Sequence, residues 1–321
     1  MYSLLKFLQC HPFDDQQVWK DFFANKSAQG QERMNTLVRT LLLRRTKEQI
    51  LSLALPKKYK LEHKIKLNDE EKMVYDTVFS FSQSALQRYM DKVSHPEKEE
   101  DAHKGEGHMA EQGDVKAHHL LVLLLRLRQI CNHPGLIKSM LDTDTMQYEG
   151  IEDSGEEVDL ISAMEDMNIT RDTTNTYDKT EKILCVDNPV FSNDTSSSKI
   201  KTVLEELQKI RVVNEKAVIV SQWTSMLDII KVHLTKIGMS FTEINGQVPA
   251  KRRGDIVEDF NKNSKGAQVM LLSLSAGGVG LNLVGANNLF LLDMHWNPQL
   301  EAQASDRVYR FGQTREVKIH R

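Results

Sequence analysis

The chain has 321 residues, 40% of them hydrophobic, enough for about two domains with apolar cores. The formal charge of −3 conceals a split: residues 142–194 hold 15 Asp/Glu against 3 Lys/Arg, a net of −12, so the remainder carries +9, a basic body that suits a nucleic-acid partner. Three scattered cysteines exclude a disulfide framework, and the longest apolar run, Leu120–Leu125, is far short of the ~20 residues of a membrane span, so neither a secreted nor a membrane role is expected.

In chain order, residues 1–55 read as helical. Leu4, Leu5, Phe7 and Leu8, then Val18, Trp19, Phe22 and Phe23, keep helical spacing. Residues 33–43 form another apolar-faced helix that ends on Arg44-Arg45-Thr46-Lys47. Lys60–Leu67 alternates and predicts a strand, with Leu61, His63, Ile65 and Leu67 on one face. Asp69-Glu70-Glu71-Lys72 then mimics the acidic magnesium box of ATPases. Asn68 as N-cap with Glu71 three residues on makes a capping box for a helix over 69–90, and that reading is preferred because no P-loop precedes it. Residues 91–114 are charged and glycine-containing and read as a loop or insert, followed by a helix over 115–131. Residues 139–198, acidic and rich in Ser, Thr and Asn, read as a mostly disordered linker with a short helix near Leu160–Met167.

From Lys199 the pattern becomes regular: helix 199–211, strand Ala217–Ser221, helix 223–236, strand Phe241–Ile244, helix 249–261, strand Gln268–Leu272, strand Leu289–Leu292, helix 298–310 and strand Val317–His320. Strands alternating with helices imply an α/β fold, a parallel sheet with helices on both faces. Ligands of such sheets bind at the carboxyl ends of the strands, where a glycine-rich loop and Trp223 both fall.

Four segments of this region carry the chemistry: Ser221-Gln222-Trp223, the loop Ser275–Asn282 with Gly277, Gly278 and Gly280, Trp296-Asn297-Pro298, and Gln303–Gln313 with Arg307 and Arg310. The loop by itself fits a tight turn as well as a phosphate cradle. It is not a dinucleotide fingerprint, because Leu283 stands where the third glycine belongs. Arg307 and Arg310, three apart on the predicted helix, fit either a solvated face or a phosphate clamp. The neighbours Gln303, Asp306 and the stop Phe311-Gly312-Gln313 favour the clamp, and arginine's fork suits a transferring phosphoryl group. Trp296 reads either as a core aromatic before a proline turn or as an exposed contact. No Gly-Lys pair occurs, so this sequence holds no P-loop.

Together these segments resemble the second motor lobe of the Swi/Snf-type DNA-dependent ATPases of helicase superfamily two. The resemblance runs over Lys199–Arg321 and extends upstream to Leu43-Arg-Arg-Thr-Lys47 and Arg128-Gln-Ile-Cys-Asn-His-Pro134, hallmarks of the family's helical protrusions. It implies a RecA-like lobe at 199–321, a linker at 139–198, and the helical end of lobe one with protrusions at 1–138. Arg307 and Arg310 would be arginine fingers, with Gln303, Gly278 and Gly280 facing the nucleotide. Ser221, Gln222, Trp223, Ser275, Asn282 and Trp296 would lie along DNA, Trp296 near the minor groove. Arg44 and Arg45 would anchor a protrusion or meet phosphate. Cys131 and His133, two apart with no second pair, are not read as a zinc site, and no metal ligand is assigned.

The implied cofactor is ATP with Mg2+, bound mainly by a first lobe whose P-loop and acidic box are not in this sequence. The implied partner is double-stranded DNA, and the chain alone is expected to hydrolyse no ATP. The wording of Val218–Thr224 and Leu289–Pro298 resembles a branch of the family that releases RNA polymerase II and its transcript, which implies an RNA polymerase II elongation complex as partner and the nucleus as location. The alternative is a non-enzymatic DNA- or protein-binding module.

Overall fold

The structure, a computed structural model, describes residues 1–25, 27–43, 55–94, 117–140, 183–276 and 280–321. Arg44, Arg45, Gly277, Gly278 and the parts of the insert and linker at 95–116 and 141–182 lie outside the described residues. The chain falls into two compact units, Met1–Ala54 and Leu55–Arg321.

The first unit holds α1 (Tyr2–Phe7), α2 (Gln16–Phe22) and α3 (Ala28–Leu41). Asp15 caps α2 by accepting from the backbone N–H of Gln17 and Val18, and Ser27 caps α3 by accepting from Gly30. Tyr2, Trp19 and Phe23 hold the helices together, with ring centroids 5.6 and 5.2 Å apart along the series.

The second unit is built on a six-stranded parallel sheet in the order β1-β6-β5-β2-β4-β3. Its strands are β1 (Lys58–Leu61), β2 (Ala217–Ser221), β3 (Phe241–Ile244), β4 (Val269–Ser273), β5 (Asn288–Leu291) and β6 (Val317–His320). Its helices are α4 (Asp69–Ser94), α5 (Ala117–Ile130), α6 (Ser198–Val212), α7 (Thr224–Lys236), α8 (Ala250–Lys262) and α9 (Pro298–Val308). A parallel sheet needs cover on both faces, and β2 meets that demand residue by residue. Ala217 and Ile219 pack with α6 and α7 through Leu207, Ile230 and Leu234. Val218 and Val220 pack on the other face with Phe260 of α8 and Ala304 and Val308 of α9.

A third cluster joins α4 and α5. Val74, Val78, Phe81 and Ala85 recur every three or four residues along α4 and meet Leu123, Leu127 and Ile130 of α5. Leu184, Val190 and Phe191 complete it, so residues 183–197, inside the stretch read as linker, are packed. The acidic average of that tract hides the apolar triplet Pro189-Val190-Phe191.

The capping box at Asn68 and Glu71 forms: Glu71 N–H donates to Asn68 Oδ1 (2.8 Å) and Asn68 N–H to Glu71 Oε2 (2.9 Å). The same carboxylate also caps α6, accepting from Ser198 N–H at 2.7 Å and Ser198 Oγ at 2.6 Å. Glu71 is 2% exposed, and its oxygens serve two helix starts far apart in sequence.

Two element readings are corrected. The strand expected at Lys60–Leu67 forms at Lys58–Leu61, because its partner β6 ends at His320, opposite Leu61. Leu61 and Ile65 are exposed, so the four residues expected on one face do not share it. The helix expected at 298–310 ends at Val308, so Arg310 is not on the helical face of Arg307. Gly312 at φ +96° and the buried Gln313 turn the chain there.

Where β1 and β6 end, His63 Nε2 lies 3.0 Å from His320 Nδ1, and the His320 ring stacks on Phe290 at 4.2 Å. Burial, then the facing His63, pushes the His320 imidazole down to about 4. Its neutral form is the folded form, so its contribution is complete above the ordinary value of about 6.5 and is lost as pH falls toward 4. His133 and His233, both pushed down by burial, add the same sign.

Urea titrations are expected to show stability falling by about 3 kcal/mol from His320 alone between pH 6.5 and 4, with a shallower fall in His320→Phe. Glu71→Ala is expected to lower unfolding free energy by about 2–4 kcal/mol at neutral pH, because it strips acceptors from Asn68 and Ser198; urea denaturation would measure it.

Candidate functional site

The carboxyl edge of the sheet gathers the loops that follow β2, β4 and β5. Ser221 closes β2; its Oγ accepts from Trp223 N–H (3.1 Å) and its carbonyl from Leu274 N–H (2.9 Å), which ties the first loop to the second. Gln222 N–H donates to Asp293 Oδ2 (2.9 Å), which ties the first loop to the third. Burial pushes the Asp293 carboxyl up, opposed by the Gln222 backbone N–H and other partners. Lys199 Nζ donates to Asn132 Oδ1 (2.5 Å) and to the Leu292 carbonyl (2.7 Å), and burial pushes this ammonium down.

Trp296 is held by its neighbours. Asn297 caps α9, accepting from Gln299 N–H at 3.0 Å, with Pro298 opening the helix. His295 Nδ1 accepts from Asn297 N–H at 2.9 Å, and His295 N–H donates to the buried Glu301 at 2.9 Å. Between these constraints Trp296 stands 68% exposed, not in the core. Trp223, at the N-cap of α7, is partly buried.

The glycine loop is held from below by α9 and its exit. Gly280, at φ +50°, has open space where a Cβ would sit. Arg310 Nη1 donates to the carbonyls of Gly280 (3.0 Å) and Leu281 (3.2 Å). Leu283 N–H donates to the Arg307 carbonyl at 2.9 Å. The buried Gln313 Nε2 faces the carbonyls of Ala286 (2.8 Å), Val308 (3.2 Å) and Val284 (3.3 Å). The structure therefore brings Arg310 and Gly280 together. Arg307 is half-buried, Gln303 is exposed one turn earlier on α9, and Ser275 and Asn282 are exposed at the two ends of the loop.

Asn282's carbonyl accepts from Asn261 Nδ2 at 2.8 Å. His133 uses both ring nitrogens on the backbone, Nδ1 accepting from Gly135 N–H (2.9 Å) and Nε2 meeting the Thr195 carbonyl (2.8 Å). Among the described residues no group of three or more His, Cys, Asp or Glu is placed to hold a metal ion, and no helix is long and apolar enough to cross a membrane.

Sequence reasoning gave no part in this site to Arg128, Lys199 or Asp293, although they lie in segments it had singled out. Arg128 reaches Trp223 and Trp296 from α5, and no local spacing signals that contact.

A family model described as SNF2-related domain matches residues 1–136, and one described as helicase conserved C-terminal domain matches residues 198–312. This chain carries SNF2-related and helicase C-terminal domains. It is 41% identical to transcription termination factor 2 of Drosophila melanogaster, over 100% of this chain and 35% of that protein. It is 29% identical to the DNA repair protein RAD5A of Arabidopsis thaliana, over 100% of this chain and 36% of that protein. The chain thus spans about a third of the length of these relatives. The C-terminal part of the Fun30 ATPase domain shares the fold at a TM-score of 0.54 and 25% identity, covering 83% of this chain and 84% of that one. The six-stranded parallel sheet with its flanking helices matches the RecA-like helicase lobe fold of that Snf2 ATPase neighbour.

Gln313→Ala is expected to cost about 1–3 kcal/mol and to speed amide exchange over residues 280–286, where the loop loses its clamp; exchange mass spectrometry would read both.

Proposed function

We propose that this chain supplies the second-lobe half of an ATP-driven translocase on double-stranded DNA. The observation that carries the reading is Arg310 seated on the Gly280 and Leu281 carbonyls, in the glycine loop that follows β4. Two arginines beside an open glycine loop fit the outer face of a nucleoside triphosphate. A guanidinium has five N–H donors, so two contacts through Nη1 do not exhaust Arg310's fork.

ATP with its Mg2+ supplies the phosphoryl group; no ligand for the metal is proposed from this chain. Arg307 and Arg310 act as fingers that neutralise charge on the transferring phosphoryl group when the lobes close. Gln303, Gly278 and Gly280 face the nucleotide. Gln222, Trp223, Ser275, Asn282 and Trp296 follow the DNA backbone, without reading bases, whereas Ser221, expected among them, is buried and holds the loop beneath. The +9 charge outside the acidic tract supports binding through phosphates. The finer role, releasing an RNA polymerase II elongation complex in the nucleus, rests on the resemblance carried by Val218–Thr224 and Leu289–Pro298; the name of the Drosophila relative, transcription termination factor 2, supports a part in termination.

The chain alone is expected to turn over no ATP. Joined behind a first lobe that carries a P-loop, it is expected to show DNA-stimulated hydrolysis, reduced about 10³-fold or more by Arg310→Ala. Steady-state phosphate release with and without duplex DNA checks both. Turnover indifferent to Arg310 would overturn the finger assignment, and DNA binding with no turnover would leave a binding module.

A further inference from the structure

Arg128 opens the segment Arg128–Pro134, to which the reading above gives no task. It lies in the last turn of α5, half-buried. Its guanidinium carbon is 4.3 Å from the Trp296 ring centroid and 5.7 Å from that of Trp223. Nη2 donates to the Met294 carbonyl, and Nη1 is buried without a hydrogen-bond partner. A buried guanidinium nitrogen with no acceptor is costly unless an aromatic face substitutes for one, and the two tryptophans offer those faces.

The rings come from different loops, one after β2 and one after β5. A single cation from a helix outside both loops thus sets the separation of the pair. Trp296 nevertheless keeps 68% of its surface open. An exposed tryptophan with nothing against it samples several rotamers, and ordering it on contact with a ligand costs affinity. Here the ordering is done before contact.

We propose that Arg128 is a positioning residue for nucleic acid: it presents Trp296 as a pre-ordered ring to the sugar-phosphate groove of duplex DNA. The proposal rests on the DNA-tracking reading above. It also makes α5 the element through which a shift of the helical hairpin reaches the DNA-facing ring.

For the fluorescence readout the whole 321-residue chain carries Trp19→Phe and Trp223→Phe, so that Trp296 is the sole reporter among three tryptophans, while DNA affinity is measured with Trp19 and Trp223 in place. Arg128→Met is expected to raise acrylamide quenching of Trp296 and lower its anisotropy, with Arg128→Lys between it and the parent. Affinity for a short duplex, by fluorescence anisotropy of labelled DNA, is expected to fall about three- to tenfold in Arg128→Met, the size of a lost cation–π contact. The slope of log affinity against log salt is expected to stay unchanged, and in a Trp296→Ala background Arg128→Met should have no further effect.

A salt slope reduced by about one, with Trp296 fluorescence unmoved, would make Arg128 a direct phosphate contact and overturn the proposal. Additive losses in the double variant would do the same. A parent chain that binds no duplex at low salt would sink the DNA reading and this proposal with it. The fluorescence shift in Arg128→Met would still separate that failure from a failure of Arg128 to order the ring. Unchanged far-UV circular dichroism in Arg128→Lys guards against reading a folding defect as lost positioning.

Discussion

The need of a parallel sheet for apolar cover on both faces governs this molecule. Strands β2 and β4 are buried along their whole length, so neither face can hold water-facing chemistry. What remains is the carboxyl edge, where the strands stop and backbone groups must find other partners. Ser221 and Ser273 take up those groups within their own loops, while Leu274 N–H on the Ser221 carbonyl and Gln222 N–H on the Asp293 carboxylate fasten the three loops to one another. The exposed residues of the edge, Trp296 and Gly280 among them, stand on that fastened base.

The helical hairpin of α4 and α5 is attached to the sheet mainly by polar groups. Glu71 spans the starts of α4 and α6, Lys199 joins Asn132 to the end of β5, and Arg128 joins α5 to the loop at Met294. Links of this kind depend strongly on geometry, because a buried polar group that loses its partner costs more than an apolar contact that slips. They hold the hairpin in register with the loops it overlies, while its own apolar cluster stays separate from the sheet's two layers.

Much of the fold could be read directly from residues. The strands at 217–221, 241–244 and 317–320 lie where apolar runs and flanking helices place them. The capping box was visible because its two members are three residues apart. What escaped depends on distant partners. The extent of β1 is set by β6, more than 250 residues away at |i−j| = 257 for the His63–His320 pair. The end of α9 is set by Gln313 and by the loop carbonyls that Arg310 seeks. Residues 183–197 looked like linker because their average is polar, yet Phe191 has no exposed surface. The motif residues of the edge were all named from sequence, but the contact of Arg128 with Trp223 and Trp296 was not, since nothing local in α5 announces it.

Strand β1 belongs to the sheet although it stands far from it in sequence. It comes from the N-terminal side of the hairpin, yet it pairs with β6 over four residues. A piece that starts at Ser198, where the helicase C-terminal match begins, would leave β6 as a bare outer strand with its N–H and C=O groups unpaired. Such an edge invites a second copy to add its own strand, so the shortened protein would tend to self-associate and precipitate. In the whole chain the outer place falls instead to β1, four exposed residues in which Lys58 and Lys60 discourage a further strand from pairing.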